Sequence, residues 1–187
     1  MNPTVSSNDQ AHLIAPSSAS RRLDFRPGMD LVWELEPGPV DELVATAWLG
    51  PRQPGPPPHV HDEIEDSWEI IDGRLEILLD DEWKTYGPGE RVAAGPGTRH
   101  SLRNPFEESV QLINRHRPAG DMEAFFTDLA MLASSGRVGW GPPHGPREAI
   151  YGSLLLHAHP TAMRQSRPAR LAFAALARLG RLFGARI

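Results

Sequence analysis

The sequence predicts a mainly β protein, a sandwich-like barrel of short strands, followed by a helical extension. Three observations carry that prediction. Nineteen prolines and seventeen glycines in 187 residues supply many breaks, which suits short elements joined by turns rather than a helical bundle. Short runs with period-two alternation recur from Met29 to His116, the pattern of half-buried strands. After Pro118 the apolar spacing changes from two to the three-and-four rhythm of a helix.

The elements follow in order. Residues 1–20 are rich in Ser, Asn, Pro and Ala, with Leu13–Ile14 their only apolar cluster; they read as a loose arm pinned at that pair, and the arm is taken to extend through residue 28. Strand-like runs cover 29–36, 42–50, the segment around His59, 67–71, 74–80, 82–86, 90–94, 99–103 and 109–116. Between them stand Pro-Gly-Pro (37–39), Pro-Gly-Pro-Pro-Pro (54–58), Asp72-Gly73, Asp80-Asp81, two Gly-Pro-Gly turns (87–89 and 95–97) and Asn104-Pro105. Leu31, Trp33 and Leu35 share one face of their strand, as do Leu75, Ile77 and Leu79. In the extension, 119–187, Met122, Phe125, Phe126, Leu129 and Leu132 keep helical spacing until Gly136. A second helix is predicted over Arg147–His157 and a third over Arg167–Phe183.

Composition narrows the function. There is no cysteine, which excludes a disulfide scaffold, a thiolate metal site and a cysteine nucleophile. The net charge of −5 divides into about −9 over residues 1–118 and +4 over 119–187. An acidic barrel is a poor nucleic-acid surface, so no nucleic-acid partner is expected. The N-terminus lacks a charged segment followed by an apolar one, and no run approaches the roughly 18 apolar residues of a membrane span; a cytoplasmic protein with no membrane partner is the expectation. Arg170, Arg178 and Arg181 beside the leucines of the third helix offer a basic amphipathic face; packing on the barrel or on a partner subunit is the preferred reading. Open sheet edges and that apolar helix lead us to expect a homodimer.

Chemistry concentrates in residues 56–77. His59 and His61 are two apart, so on a strand both imidazoles leave the same face. Asp62, Glu63, Glu65 and Asp66 follow closely, and His100 comes just after the second Gly-Pro-Gly turn. Two or three imidazoles with a carboxylate and open positions suit a divalent transition metal, with iron or manganese first and zinc, nickel or copper possible.

Together these residues resemble the motifs of the cupin family. Its second motif, G-x5-P-x-G-x2-H-x3-N, is matched by Gly89, Gly97, His100 and Asn104, with Gly95 standing where the pattern has Pro. The first, G-x5-H-x-H-x3,4-E-x6-G, is matched at His59, His61 and Gly73 but has no leading glycine. Its carboxylate falls on Asp66, with four residues between it and His61 and six between it and Gly73, or on Glu65 by the shorter spacing. Strand parity favours Asp66, which shares a face with Trp68 and Ile70. The resemblance covers residues 29–118 and implies a double-stranded β-helix, a jelly-roll-like barrel, holding a metal on His59, His61, Asp66 and His100.

Trp33, Trp68, Ile70 and Leu102 are the expected pocket wall, if not simply core. His116, on one parity with Val110, Leu112 and Asn114, is a candidate acid or base, although a surface or end-of-strand histidine is the preferred reading, and Glu65 is a second candidate. Asn104 is expected to cap its turn, and His144, His157 and His159 read as ordinary residues. The leading functional expectation is a metal-dependent enzyme of dioxygenase type, acting on a small cyclic or aromatic molecule. The alternatives are a non-redox cyclase, isomerase or lyase on an enolisable substrate, and a binding or sensing module without catalysis.

Overall fold

The computed structural model describes residues 20–187, so the expectation for Leu13 and Ile14 lies outside the described residues. Nine strands form two antiparallel sheets. The larger contains β1 (Arg21–Asp24), β2 (Leu31–Glu36), β3 (Leu43–Leu49), β4 (Glu65–Asp72), β7 (Arg91–Ala94) and β9 (Val110–Arg117), in the order β1-β2-β3-β9-β4-β7. The smaller contains β5 (Leu75–Leu79), β6 (Glu82–Tyr86) and β8 (His100–Arg103), in the order β6-β5-β8. The strands run nearly where the alternation places them, because one face of each is buried and a one-residue slip would expose it.

Two expectations are corrected. Residues 21–24, read as part of the arm, pair with β2 in the register Arg21↔Leu35 to Asp24↔Val32. Only Leu23 of that strand is buried, so the alternation is too short to detect locally, and pairing with β2 recruits the segment. The segment around His59 is not a strand; it makes a single bridge, His59↔His100, outside the ladders.

The register of β4 on β9 sets the character of the barrel interior. Ile70 faces Leu112, Trp68 faces Asn114 and Asp66 faces His116. All six are buried, so this shared face runs from apolar at one end to polar and titratable at the other.

The extension forms α1 (Met122–Ser134), α2 (Pro146–Ala158) and α3 (Arg167–Leu182). Pro146 begins α2, where its missing N–H costs nothing, and the Ser166 hydroxyl accepts from Ala169 N at 3.3 Å to cap α3. Met122, Phe125, Leu132 and Leu155 belong to the same core as the barrel residues, so α1 and one face of α2 complete the barrel, while Leu154, Ala177 and Ala185 form a small separate cluster between α2 and α3. At the α2–α3 crossing, a Cβ on Gly180 would stand 2.4 Å from Ile150 Cγ2, which makes glycine the residue that lets the two helices meet. Among the described residues no helix is long and apolar enough to cross a membrane.

Candidate metal centre and its chamber

His59 and His61 lie on the proline-rich loop that leads into β4. The loop is held by backbone bonds to the element carrying the third histidine. His59 N donates to His100 O and His100 N to His59 O, both at 2.9 Å, and Gly97 N donates to His61 O at 2.8 Å. The second Gly-Pro-Gly turn therefore positions two histidines, one on its own strand and one across the gap. Gly55 allows the loop to approach: it has φ +72°, and a Cβ there would lie 1.7 Å from Leu102 O.

The rings converge. Centroids of His59 and His100 are 4.4 Å apart, and each of them stands 5.0 Å from His61. Donor atoms of His59, His61 and His100 lie within 4.8 Å of one another, and those of His61, Asp66 and His116 form a second such group. The expected set of His59, His61, Asp66 and His100 is thus brought together, and His116 joins it through Asp66 and His61. Asp66 Oδ2 is 3.5 Å from His116 Nε2 and 3.7 Å from His100 Nε2, while Asn114 Nδ2 donates to Asp66 Oδ1 at 2.5 Å.

The hydrogen-bond pattern fits a metal. His100 Nδ1 faces Thr98 O at 2.9 Å and His59 Nδ1 faces Pro57 O at 3.0 Å. A carbonyl accepts only from N–H, so each ring carries its proton on Nδ1 and leaves the Nε2 lone pair for the interior. His100 Nε2 and both nitrogens of His61 are buried without a hydrogen-bond partner. Such orphaned atoms are costly unless something binds there. Burial lowers His59 to about 4 and His61 to about 3, with neighbouring imidazoles adding to the shift. Both rings are therefore neutral at pH 7, and no proton competes for their lone pairs. Burial works to raise the Asp66 pKa, but the His116 charge and hydrogen bond, with His100 and His61, outweigh it and hold the carboxyl below its ordinary value. Three imidazoles, with an ionised carboxylate close by, could hold a divalent metal ion.

A chamber of about 570 Å³ opens beside these groups. Trp33, Trp68 and Leu102 line it as expected. Ile70 does not: it is fully buried between the sheets and fills the apolar end of the barrel. Glu65 is exposed and points to the opposite face from Asp66, so it belongs neither to the ligand set nor to the acid–base groups. Asn104 caps its turn, donating to Gly50 O and Glu108 O at 2.8 Å each and accepting from Phe106 N at 3.1 Å.

Sequence reasoning missed the part played by the helices. Phe125, Phe126 and Leu129 of α1, Leu156 of α2, and Phe173 and Leu176 of α3 line the chamber. The Phe126 ring lies 4.1 Å from Trp33 and 5.3 Å from His116, centroid to centroid. Helical spacing marks these residues as one apolar face but does not say what the face meets. His159, expected to be ordinary, is buried between two carboxylates, with Nδ1 2.6 Å from Asp121 Oδ2 and Nε2 2.7 Å from Asp128 Oδ2. It ties the end of α2 to α1.

Residues 48–114 match the family model described as a cupin domain. Among solved structures, an RmlC-like cupin from Shewanella frigidimarina aligns at 16% identity and a TM-score of 0.50, covering 58% of this chain and 93% of that one. KdgF from Halomonas sp. aligns at 20% identity and 0.48, covering 55% and 90%. A cupin-2 domain protein from Rhodospirillum rubrum aligns at 13% and 0.46, covering 63% and 77%. A comparison with curated proteins found no match. With the two sheets, the bridged histidine loop and the domain match in agreement, residues 48–114 carry a cupin domain, its barrel completed by a C-terminal helical extension.

Proposed function

We propose that the protein is a metal-dependent enzyme acting on a small cyclic or aromatic organic molecule, with oxygen-inserting, dioxygenase-type chemistry as the leading reaction. The observation that carries the reading is the convergence of neutral imidazoles and Asp66 at the wall of an apolar chamber. His59, His61, His100 and Asp66 would hold the metal, iron or manganese before zinc, nickel or copper. When bound, such a metal polarises an enol, phenol or carbonyl oxygen as a Lewis acid and, if redox-active, opens a route for dioxygen.

The remaining work falls to the chain. Trp33 and Phe126 pack on each other and together form one aromatic wall against which a flat substrate can lie, excluding water from the imidazole end. Asn114 fixes Asp66 through one carboxylate oxygen and leaves the other facing His116 and His100. His116 has a buried, partnerless Nδ1 and lies against the chamber, so it can take or return a proton at a substrate carbon or oxygen. That last feature specifically favours a second reading, a non-redox cyclase, isomerase or lyase on an enolisable substrate. A ligand-sensing role without catalysis remains the third alternative.

The test begins with metal content by mass spectrometry on untagged protein and on His61→Ala. Near-stoichiometric metal lost in the variant is the expected result; none in either after reconstitution overturns it. Oxygen uptake by the iron-loaded protein with a panel of phenols and enols supports the leading reaction. Turnover without oxygen on zinc, lost in His116→Gln, would support the second.

A further inference from the structure

The chamber's chemistry restricts its ligand further than the metal centre does. Among the described residues no Arg or Lys lines it, and its only carboxylates are Asp66 and Glu148. Glu148 is already engaged, accepting from Gly139 N at 2.8 Å and His144 N at 2.7 Å. Two other polar groups of the lining are also paired within the protein: Ser101 Oγ donates to Pro56 O at 2.6 Å, and Trp140 Nε1 to Gln53 Oε1 at 2.8 Å. Away from the imidazole end the walls are hydrocarbon and aromatic, with Trp33, Leu49, Leu129, Leu156, Met163 and Phe173 among them. A sugar would lose its hydration against walls that return few hydrogen bonds, and a phosphate or polycarboxylate would enter without a side-chain counter-charge.

Besides the imidazoles, one buried donor of the lining has no partner. Trp68 is 2% exposed, lines the chamber, and its Nε1 has no hydrogen-bond partner. Its ring centroid lies 5.7 Å from that of His100, so the free N–H belongs to the polar end. A buried indole N–H normally finds an acceptor; here the ligand is the available one.

We infer that the ligand is a lipophilic molecule with an uncharged hydrocarbon or aromatic body, carrying a single oxygen-bearing head that accepts from Trp68 Nε1. The inference rests on the reading above in taking the imidazole end as the reacting end. It also makes the extension part of the binding site, since α1, α2 and α3 supply much of the apolar wall. The volume of about 570 Å³ lies within the usual range for small-molecule sites.

The experiment is calorimetric and fluorescence titration of the metal-free full chain with three probes: 1-naphthol, naphthalene and D-glucuronate. The expected result is 1-naphthol binding at least about 100-fold more tightly than D-glucuronate, from apolar burial alone. Trp68→Phe keeps an aromatic face, smaller than the indole, and removes the N–H, so it should weaken 1-naphthol about fivefold more than it weakens naphthalene. Leu129→Asp should cost both aromatic probes at least about tenfold, and Leu156→Gln serves if that variant loses its helical circular dichroism. Comparable or tighter D-glucuronate binding overturns the inference. Unchanged aromatic binding in a folded wall variant, or equal losses of both aromatics in Trp68→Phe, overturns the wall or the head-group assignment respectively. Because binding is read without metal, failure of the metal-centred reading is scored separately by metal content.

Discussion

Replacing His61 with leucine should stabilise the metal-free protein and destabilise the metal-loaded one relative to the parent. His61 is 2% exposed and neither ring nitrogen has a partner. Leaving a buried polar group unsatisfied costs about 1–3 kcal/mol. Leucine has a comparable size and no polar atom, so removing two orphaned nitrogens should return roughly 2 kcal/mol after allowance for imperfect packing. For a domain of this length that corresponds to a rise in Tm of about 4–8 °C. A metal at 100 times its Kd stabilises the parent by about 2.7 kcal/mol, or about 5–11 °C, and should leave His61→Leu unmoved. The assay is thermal unfolding by circular dichroism after exhaustive chelation, then with added zinc or manganese. If the chelated variant melts below the chelated parent, the nitrogens are not orphaned and the centre is not built ahead of its metal. If the metal raises both proteins equally, it binds elsewhere.

Four other outcomes follow from named contacts. Asp66→Asn should lower zinc affinity at least about tenfold, whereas Glu65→Gln, on the opposite face of β4, should stay within about twofold by calorimetry. Gly55→Ala imposes a Cβ at φ +72° and 1.7 Å from Leu102 O; it should cost at least about 2 kcal/mol and weaken zinc binding, read by thermal melts and calorimetry. The His159 pKa is raised because the hydrogen bonds and charges of Asp128 and Asp121 outweigh the opposing effect of burial. A raised pKa gives stability that is complete below the ordinary imidazole value and lost as pH climbs through the folded-state value, so Tm should fall from pH 6 to 9 in the parent but not in His159→Gln. We propose a homodimer formed through α3, where Leu171, Leu182 and Phe183 are 73%, 83% and 81% exposed; light scattering at micromolar concentration should give the dimer mass, reduced to the monomer in Phe183→Glu, and a monomeric parent would reject it.

What the sequence made legible was local, and what it concealed depended on contacts between distant segments. The alternation in β4 and β9 marked which side chains share a face, so Asp66 could be favoured over Glu65 without a structure; His116, read in preference as a surface or end-of-strand histidine, is instead buried. His100 was legible because a Gly-Pro-Gly turn ends just before the strand that presents it. Strand β1 was not, because Arg21-Arg22-Leu23-Asp24 buries a single apolar side chain and owes its conformation to β2. The loop carrying His59 and His61 has no period of its own; its geometry comes from backbone bonds to His100 and Gly97. His159 shows the same limit, since its carboxylate partners lie 38 and 31 residues earlier.

The chamber is where this limit bears on function. Periodicity identifies Phe125, Phe126 and Leu129 as one apolar face, yet any apolar surface would satisfy them. The structure sets that face over the titratable end of the barrel, with Phe126 against both Trp33 and His116. The β4–β9 register puts Asp66 and His116 opposite each other at the polar end of the shared face, where an open barrel would admit water. Covering that end with α1, α2 and α3 keeps His59 and His61 neutral by burial, leaves their lone pairs free of protons, and supplies the lipophilic wall. The same burial therefore prepares the nitrogens for a metal and selects the ligand that can reach it, so a single wall substitution such as Leu129→Asp should alter ligand preference without touching a metal-binding residue.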